Sequence, residues 1–237
     1  WPASASVVSK VLTRAEPRPT GSTRSTTLRV SEVFASIQGE SSRIGLPTVF
    51  VRLTGCPLRC VWCDTEYAFT GGRNRPIDEL VEEIRGFGIS TICVTGGEPL
   101  AQKECRTLLR ALCDAGFSVS LETSGALDID GIDARVARIV DLKAPGSGEC
   151  ERNRLENIAL LRPTDEVKFV LADETDYAWA KRMIIEHRLG ERCPVLMSPV
   201  HGSLDPTTLA ELIVRDRLPV RFQMQLHKIL WADARGK

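Results

Sequence analysis

The chain has 237 residues, of which 43% are hydrophobic, and this suits one α/β domain with a sizeable core. Lysine plus arginine and aspartate plus glutamate number 31 each, so no overall basic field points to nucleic acid as a partner. The sequence has no run of about 18 apolar residues and therefore predicts no membrane-spanning helix.

The first 27 residues differ in composition from the rest of the chain. They are rich in Ser, Thr, Pro and Arg and hold one acidic residue, Glu16. This segment has too little apolar surface to fold alone, so we expect residues 1–27 to be a mobile N-terminal extension. A transit peptide is the alternative, because such leaders are rich in Arg and Ser and poor in acids. The folded domain is then predicted to span residues 28–237.

From residue 28 onward, apolar runs predict strands that alternate with amphipathic helices. The predicted strands span residues 28–34, 48–53, 91–94, 117–121, 138–142, 166–171, 195–197 and 220–226. The predicted helices span residues 76–85, 101–115, 173–187 and 205–214. This alternation indicates βαβ units around a parallel sheet. Because the region is shorter than the about 250 residues of a complete barrel, we expect an incomplete TIM-type barrel with about six parallel core strands.

A cysteine-rich loop directly follows the strand at residues 48–53. Cys56, Cys60 and Cys63 have C-x3-C-x2-C spacing, and thiolates are soft ligands that suit zinc or iron–sulfur clusters. Three thiolates without a nearby fourth favour a 4Fe-4S cluster whose remaining iron is open to a small molecule. Structural zinc is the alternative, but it needs a fourth close ligand, and no histidine is near in sequence.

The other five cysteines lack metal-ligand spacing. We expect buried free thiols, because a low-potential cluster needs a reducing compartment, and on the same ground we expect a cytoplasmic protein. These residues are Cys93, Cys105, Cys113, Cys150 and Cys193.

The cysteine spacing resembles the radical S-adenosylmethionine (SAM) superfamily, and TGGEP at residues 95–99 resembles its GGEP-type motif. Two glycines there allow close backbone approach. The resemblance implies that SAM chelates the open iron and that one electron from the cluster cleaves it to a 5′-deoxyadenosyl radical. It also implies catalytic cysteines at Cys56, Cys60 and Cys63. The implied SAM-binding residues are Trp62, Cys63, Asp64, Gly97, Glu98, Asp141, Leu142, Lys143, Ser198 and Pro199.

Further segments resemble one family more closely, the 7-carboxy-7-deazaguanine synthases. These segments are SIQGE at 36–40, Arg52 before Thr54, CDT at 63–65, LETSG at 121–125 and LHK at 226–228. The resemblance implies conversion of 6-carboxy-5,6,7,8-tetrahydropterin to 7-carboxy-7-deazaguanine with loss of ammonia, in the route to 7-deazapurines such as queuosine. It further implies SAM, a 4Fe-4S cluster and Mg2+ as cofactors, a reducing electron donor such as a flavodoxin-like protein, and a homodimer.

The residue chemistry of these segments suits a carboxypterin. Gln38 carries a donor and an acceptor, Glu122 is an acceptor, and Arg52 presents a planar fork for a carboxylate. Purely structural roles stay open for each of these positions. Gln38 and Glu40 could be turn residues, and Arg52 could form a structural ion pair. Lys143 could be a solvated surface lysine, and His227 a core or interface histidine. The implied substrate-binding residues are Ile37, Gln38, Gly39, Glu40, Arg52, Thr95, Glu122 and His227.

Thr65 separates the candidate functions, because the resemblance implies that its hydroxyl ligates Mg2+ with substrate and water completing the shell. A glycyl-radical-enzyme activase is one alternative, but it would not need Gln38, Glu122 and Thr65 around a small pocket. A non-enzymatic iron–sulfur or zinc module is the other, and it leaves the GGEP-type loop unexplained. The tail at residues 231–237 extends past His227, so we place no terminal residue in the site.

Overall fold

Nine strands form one unclosed sheet in the computed structural model, which describes residues 26–232 and 234–236. The strands are β1 (Thr27–Ile37), β2 (Pro47–Leu53), β3 (Arg73–Pro76), β4 (Thr91–Gly96), β5 (Ser118–Thr123), β6 (Ala137–Asp141), β7 (Glu166–Leu171), β8 (Val195–Pro199) and β9 (Arg221–Phe222). The helices are α1 (Ile77–Gly86), α2 (Cys105–Asp114), α3 (Glu174–Glu186), α4 (Leu189–Arg192), α5 (Pro206–Asp216) and α6 (Leu226–Trp231).

The strand order is β3-β1-β2-β4-β5-β6-β7-β8-β9. Every pair from β2 to β9 is parallel, whereas β1 pairs antiparallel with both β2 and β3. Six parallel strands have five to seven residues, and β9 has two. The predicted incomplete barrel is therefore confirmed. Because the parallel strands share one direction, the loops at their carboxyl ends meet at one edge.

The helices cover the sheet with apolar faces at helical spacing. On α2, Leu108, Leu109 and Leu112 are fully buried in the same core as the strands. Burying such a side chain contributes roughly 1.5–3 kcal/mol. Asp173 caps α3 as predicted, since its side chain accepts a hydrogen bond from the backbone N–H of Asp176. All helices of the described residues are too short or too polar to cross a bilayer.

The predicted elements differ from the structure in three places. β3 was missed because its four residues carry no apolar alternation. The helix predicted from residue 101 begins at Cys105, since Pro99–Ala101 forms a separate 3-10 turn. The last strand ends at Phe222, and residue 226 opens α6 instead, so the predicted strand at 220–226 is mostly incorrect.

The first strand also shifts the predicted domain boundary. β1 begins at Thr27, which pairs with Pro76, one residue inside the segment expected to be an extension. Residues 1–25 of that segment lie outside the described residues. The eight cysteines are free, and Cys93, Cys105, Cys113 and Cys193 are buried as expected. Cys150 is half-buried.

Candidate active site

A cavity of about 520 Å3 lies at the carboxyl ends of the parallel strands. Its size is in the range of small-molecule sites, roughly 300–1,000 Å3. It brings together most of the residues that the sequence singled out. Those that line it are Ile37, Gln38, Gly39, Glu40, Arg52, Cys56, Cys60, Trp62, Cys63, Asp64, Thr65, Thr95, Gly97, Glu122, Asp141, Lys143 and His227.

One side of this cavity, which we call the cysteine wall, is formed by the loops at residues 55–63 and 96–98. Backbone hydrogen bonds fix its loop, from the N–H of Gly55 to the carbonyl of Ala68 at 2.8 Å and from Val61 to Ser147 at 3.0 Å. The Cys56 sulfur accepts a hydrogen bond from the backbone N–H of Leu58 at 3.5 Å. All three motif cysteines therefore lie on one fixed loop at the cavity.

Three cysteine thiols on one loop give the cysteine wall a soft donor set, of the kind that iron–sulfur clusters use. Within residues 26–232 and 234–236, no three His, Cys, Asp or Glu side chains converge closely enough to hold a single metal ion. A cubane cluster binds each thiolate through a different iron and so tolerates wider sulfur spacing. Burial raises the pKa of the Cys56 and Cys60 thiols, which favours their neutral form in the absence of a bound metal.

The GGEP-type loop packs directly on the cysteine loop. A Cβ atom at Gly97 would lie 2.3 Å from the carbonyl oxygen of Gly55 and 2.7 Å from the Cβ of Cys56. The backbone N–H of Glu98 donates to the same Gly55 carbonyl at 2.7 Å. Only glycine allows this approach at position 97, so the motif is explained by backbone packing.

The Glu98 side chain is fully buried and does not line the cavity. Its carboxylate accepts hydrogen bonds from the Thr123 hydroxyl at 2.9 Å, the Ser124 backbone N–H at 2.7 Å and the Leu100 backbone N–H at 2.9 Å. These contacts tie the loop to the end of β5. In this conformation Glu98 holds the loop in place, and the SAM contact that the resemblance implies for it stays a prediction.

Three other predicted SAM contacts also lie outside the cavity lining. Leu142 is a core residue, and its N–H donates to the Lys168 carbonyl at 2.9 Å. Ser198 is buried on β8, and its hydroxyl has no hydrogen-bond partner among the described residues. Pro199 lines a smaller neighbouring cleft of about 280 Å3. A SAM-binding role for these three residues stays a prediction.

A second group of residues, which we call the polar wall, lines or supports the rest of the cavity and consists of Arg52, Thr95, Glu122, Asp141, Lys143, Lys168 and residues 37–42 and 223–227. Gln38 donates from Nε2 to Oε1 of Glu122 at 3.2 Å, and the Thr95 hydroxyl donates to the other oxygen at 3.1 Å. Gln38 is buried, so its amide is held rather than solvated. These three side chains form one continuous group of donors and acceptors.

Arg52 is held in place by a residue that the sequence did not single out. Its Nε donates to Oε1 of Glu32 at 2.7 Å, and the Tyr67 hydroxyl donates to the same oxygen at 2.8 Å. The Arg52 guanidinium lies 5.7 Å from the centroid of the Phe34 ring. Within the described residues its two terminal nitrogens have no hydrogen-bond partner, so they are open to a carboxylate.

The polar wall also holds a buried network of charges. Lys168 contacts Oε2 of Glu40 at 2.6 Å and Oδ2 of Asp141 at 3.5 Å, and Lys143 contacts the same Asp141 oxygen at 2.9 Å. Burial opposes both charged forms, but their mutual attraction lowers the pKa of Asp141 and raises the pKa of Lys143. Lys143 is therefore no solvated surface lysine.

Asp64, Thr65 and His227 meet where the two walls join. The Thr65 hydroxyl donates to Oδ1 of Asp64 at 2.9 Å, and Nε2 of His227 lies 3.8 Å from Oδ2. Burial opposes ionisation of Asp64, yet the contacts with His227 and Thr65 hold the pKa of its carboxyl below its usual range. Gly39 lets His227 approach, because a Cβ there would lie 2.5 Å from Nδ1 of the imidazole.

Sequence reasoning missed several residues that line or support the cavity. Lys168 carried one signal, a charged residue between Val167 and Phe169 that interrupts the apolar run of β7. The sequence assigned no tail residue to the site, whereas in the structure several tail residues line the cavity and the Arg235 guanidinium lies 4.3 Å from the Tyr67 ring centroid. The lining residues of the tail are Ala232, Ala234, Arg235 and Gly236.

Comparison with known proteins gives one consistent family. The model of the radical SAM superfamily matches residues 50–145. The 7-carboxy-7-deazaguanine synthase of Chlorobaculum tepidum is 49% identical over 213 residues, covering 88% of this chain and 97% of the relative. That of Koribacter versatilis is 39% identical, covering 86% of this chain and 97% of the relative. The crystal structure of QueE from Escherichia coli shares the fold, with a TM-score of 0.67 at 22% identity, covering 85% of this chain and 95% of that one.

Proposed function

The chain belongs to the 7-carboxy-7-deazaguanine synthase family of radical SAM enzymes, and we propose that the cavity at the carboxyl ends of its parallel strands holds the complete site for that reaction. The reaction is the radical SAM ring contraction of 6-carboxy-5,6,7,8-tetrahydropterin to 7-carboxy-7-deazaguanine, with release of ammonia, in 7-deazapurine and queuosine biosynthesis. The observation that carries the proposal is that the three motif cysteines line the same cavity as the hydrogen-bonded group formed by Gln38 and Glu122.

The cysteine wall would hold the cofactors. Cys56, Cys60 and Cys63 would bind a 4Fe-4S cluster, which supplies, when SAM is bound, the electron that cleaves SAM to a deoxyadenosyl radical. Gly97 lines the cavity, where its backbone would meet the amino group of SAM. Lys143 presents an ammonium for the carboxylate of SAM, with Asp141 keeping that ammonium charged. These residues bind and orient, and the hard chemistry belongs to the cofactor.

The polar wall would bind the pterin. Gln38 and Glu122 offer the acceptors and donor that the pyrimidine edge of a pterin needs, with Thr95 steadying Glu122. Arg52 would pair with the substrate carboxylate through its two terminal nitrogens, while Glu32 fixes the orientation of the guanidinium. Together these contacts hold the reacting carbon in one place relative to SAM.

Magnesium, the redox partner and the assembly complete the proposal. Thr65 donates its proton to Asp64 and so keeps its oxygen lone pairs for Mg2+, with the pterin and water as further ligands. The electron donor would be a flavodoxin-like or similar reductant, and the enzyme would act as a cytoplasmic homodimer. The relatives do not favour an activase or a metal-binding module, since the named curated relatives are synthases.

The decisive experiment is anaerobic cluster reconstitution of the full chain, followed by incubation with SAM, reductant, Mg2+ and 6-carboxytetrahydropterin. We expect 7-carboxy-7-deazaguanine and ammonia in equal amounts, measured by mass spectrometry and an ammonia assay. A reaction without pterin controls for unproductive SAM cleavage. Deoxyadenosine without deazaguanine, or a radical transferred to an added protein, would contradict the proposal.

A further inference from the structure

Lys168 lines the cavity and has no role in the proposed binding of SAM, the pterin or Mg2+. It lies on β7 in register with Asp141 on β6, and its side chain is only 12% exposed. Its ammonium contacts Glu40 at 2.6 Å and Asp141 at 3.5 Å. One buried cation therefore joins a residue of the proposed pterin site to a residue of the proposed SAM site.

The contacts of Glu40 extend this link toward the end of the chain. Its other oxygen, Oε1, accepts a hydrogen bond from Nε2 of Gln225 at 2.9 Å. Gln225 immediately precedes α6, the helix that carries His227 into the cavity. Both carboxylate oxygens of Glu40 are thus fixed, and each keeps a lone pair that can accept a further hydrogen bond from a ligand.

The charges of this network balance only while Lys168 is present. Glu40 and Asp141 contribute two negative charges, and Lys143 and Lys168 contribute two positive charges. Burial opposes charge on both sides, yet attraction to Lys168 lowers the pKa of Glu40, and attraction to Glu40 raises that of Lys168 well above its usual value. Removing the lysine would leave a buried carboxylate without its cation, which is strongly unfavourable.

On the basis of the proposed function, we propose that Lys168 is a positioning residue that fixes the Glu40 carboxylate for the pterin and links it through Asp141 to the SAM-binding side. Its contact with Glu40 is the shorter one, so the pterin site should depend on Lys168 more than the SAM site does. Lys168 then acts on the substrate through Glu40 and has no contact of its own with the pterin.

The test compares ligand affinities of cluster-loaded wild type, Lys168→Met, Lys168→Arg, Glu40→Gln and the double variant, measured by calorimetry under anaerobic conditions. The probes are 6-carboxytetrahydropterin, with SAM present, and SAM alone. Lys168→Met should weaken pterin binding at least about tenfold, with a smaller change for SAM. Lys168→Arg, which keeps the charge, should recover most of the affinity. Lys181→Met is the matched control, since Lys181 pairs with Asp216 on a half-exposed surface and should leave both affinities unchanged.

The double variant separates positioning from direct contact. If Lys168 acts through Glu40, adding Lys168→Met to Glu40→Gln should cost no further pterin affinity, because nothing is left to position. If Lys168→Met alone does not fold, the double variant can still be compared with Glu40→Gln. The double variant should fold more readily, because it leaves no unpaired carboxylate at position 40. A further tenfold loss in the double variant would overturn the proposal and make Lys168 a direct ligand.

Two remaining outcomes distinguish this proposal from the function on which it rests. If wild type binds pterin and Lys168→Met binds it equally well, or loses only SAM affinity, the positioning role is overturned and the synthase function stands. If the wild-type protein neither binds nor converts the pterin, the proposed function is wrong, and so is the role proposed for Lys168.

Discussion

The two walls of the cavity are held by different kinds of contact. In the cysteine wall, the loops meet through backbone atoms, with Gly97 donating to Leu53 at 3.2 Å and Glu98 donating to Gly55 at 2.7 Å. In the polar wall, side chains make the connections, as in the contacts of Glu40 with Lys168 and Gln225. The structure of the cysteine wall thus depends on the glycine at position 97, and that of the polar wall depends on pairs of polar side chains.

This difference has a consequence for how each wall responds to substitution. A substitution that separates two packed loops should disturb the whole cysteine wall, because all three motif cysteines lie on the same loop. A network of side-chain pairs loses one contact at a time, so its losses should be graded and ligand-specific. Changes in the cysteine wall should therefore abolish SAM chemistry, whereas changes in the polar wall should affect pterin or metal affinity with the cluster intact.

The largest effect is expected at the ligand cysteines. Cys56→Ala should abolish the visible absorbance of the cluster and SAM cleavage together, because two thiolates are too few anchors. Cys105→Ala is the control, since Cys105 is a fully buried core thiol on α2 and lies off the cavity. It should keep the cluster and turnover. Cluster loss in Cys105→Ala, or full activity in Cys56→Ala, would show that the ligand set is wrong.

Gly97→Ala tests the backbone packing directly. The added methyl would lie 2.3 Å from the Gly55 carbonyl, so the loops must separate. We expect the free energy of unfolding to fall by about 1–3 kcal/mol, as for overpacked sites, and SAM cleavage to fall strongly. Thermal melting and deoxyadenosine formation measure the two effects.

The matched control is Gly86→Ala at the end of α1, where a Cβ would meet nothing within 4 Å. Its stability should stay level or rise by about 0.5 kcal/mol, because alanine loses less backbone entropy than glycine. Equal behaviour of the two alanine variants would mean that the cysteine wall tolerates loop separation, and the contrast between the walls would disappear.

In the polar wall, Arg52→Met should leave the cluster and SAM binding intact and weaken pterin binding at least about tenfold, because the substrate carboxylate loses its cation. Calorimetry with the pterin measures the change. Arg135→Met is the control, since Arg135 forms half-exposed ion pairs with Asp114 and Asp133. Unchanged pterin affinity in Arg52→Met would leave Arg52 with only its structural pair, Glu32.

The contrast between the walls also explains what could be predicted from the sequence. The strands of the parallel sheet are apolar runs, and the cysteine and GGEP-type motifs follow them directly, so the fold and the cysteine wall were predictable. The direction of a side chain within a motif was not. Glu98 turns into the core toward Thr123, although the motif alone suggests a residue that faces the ligand.

Partners in the polar wall could not be found from local pattern. Lys168 and Glu40 are 128 residues apart, and Gln225 and Glu40 are 185 apart. Pairing over such separations is decided by strand register and by the path of the chain after β9. The position of the tail could not be predicted for the same reason, because nothing in its composition indicates that Arg235 contacts Tyr67.

The smallest effect is expected at Thr65, where the walls join and where the polar wall would bind its metal. One neutral hydroxyl cannot hold Mg2+ against its hydration shell, so the ion should bind well only with the pterin present. Thr65→Ala should therefore lower turnover several-fold at limiting Mg2+ and flatten the magnesium response, with the cluster intact. Turnover measured against Mg2+ concentration, with and without saturating pterin, checks this.

Two further variants decide whether the oxygen itself matters. Thr65→Ser keeps the hydroxyl that donates to Asp64 at 2.9 Å and should follow the wild-type magnesium curve closely. Thr107→Ala removes a hydroxyl on the exposed face of α2 and should change nothing. If Thr65→Ala also follows the wild-type curve, Thr65 is not a metal ligand. The metal would then be held by the pterin and water alone, and the junction of the walls would serve only to seat His227 beside Asp64.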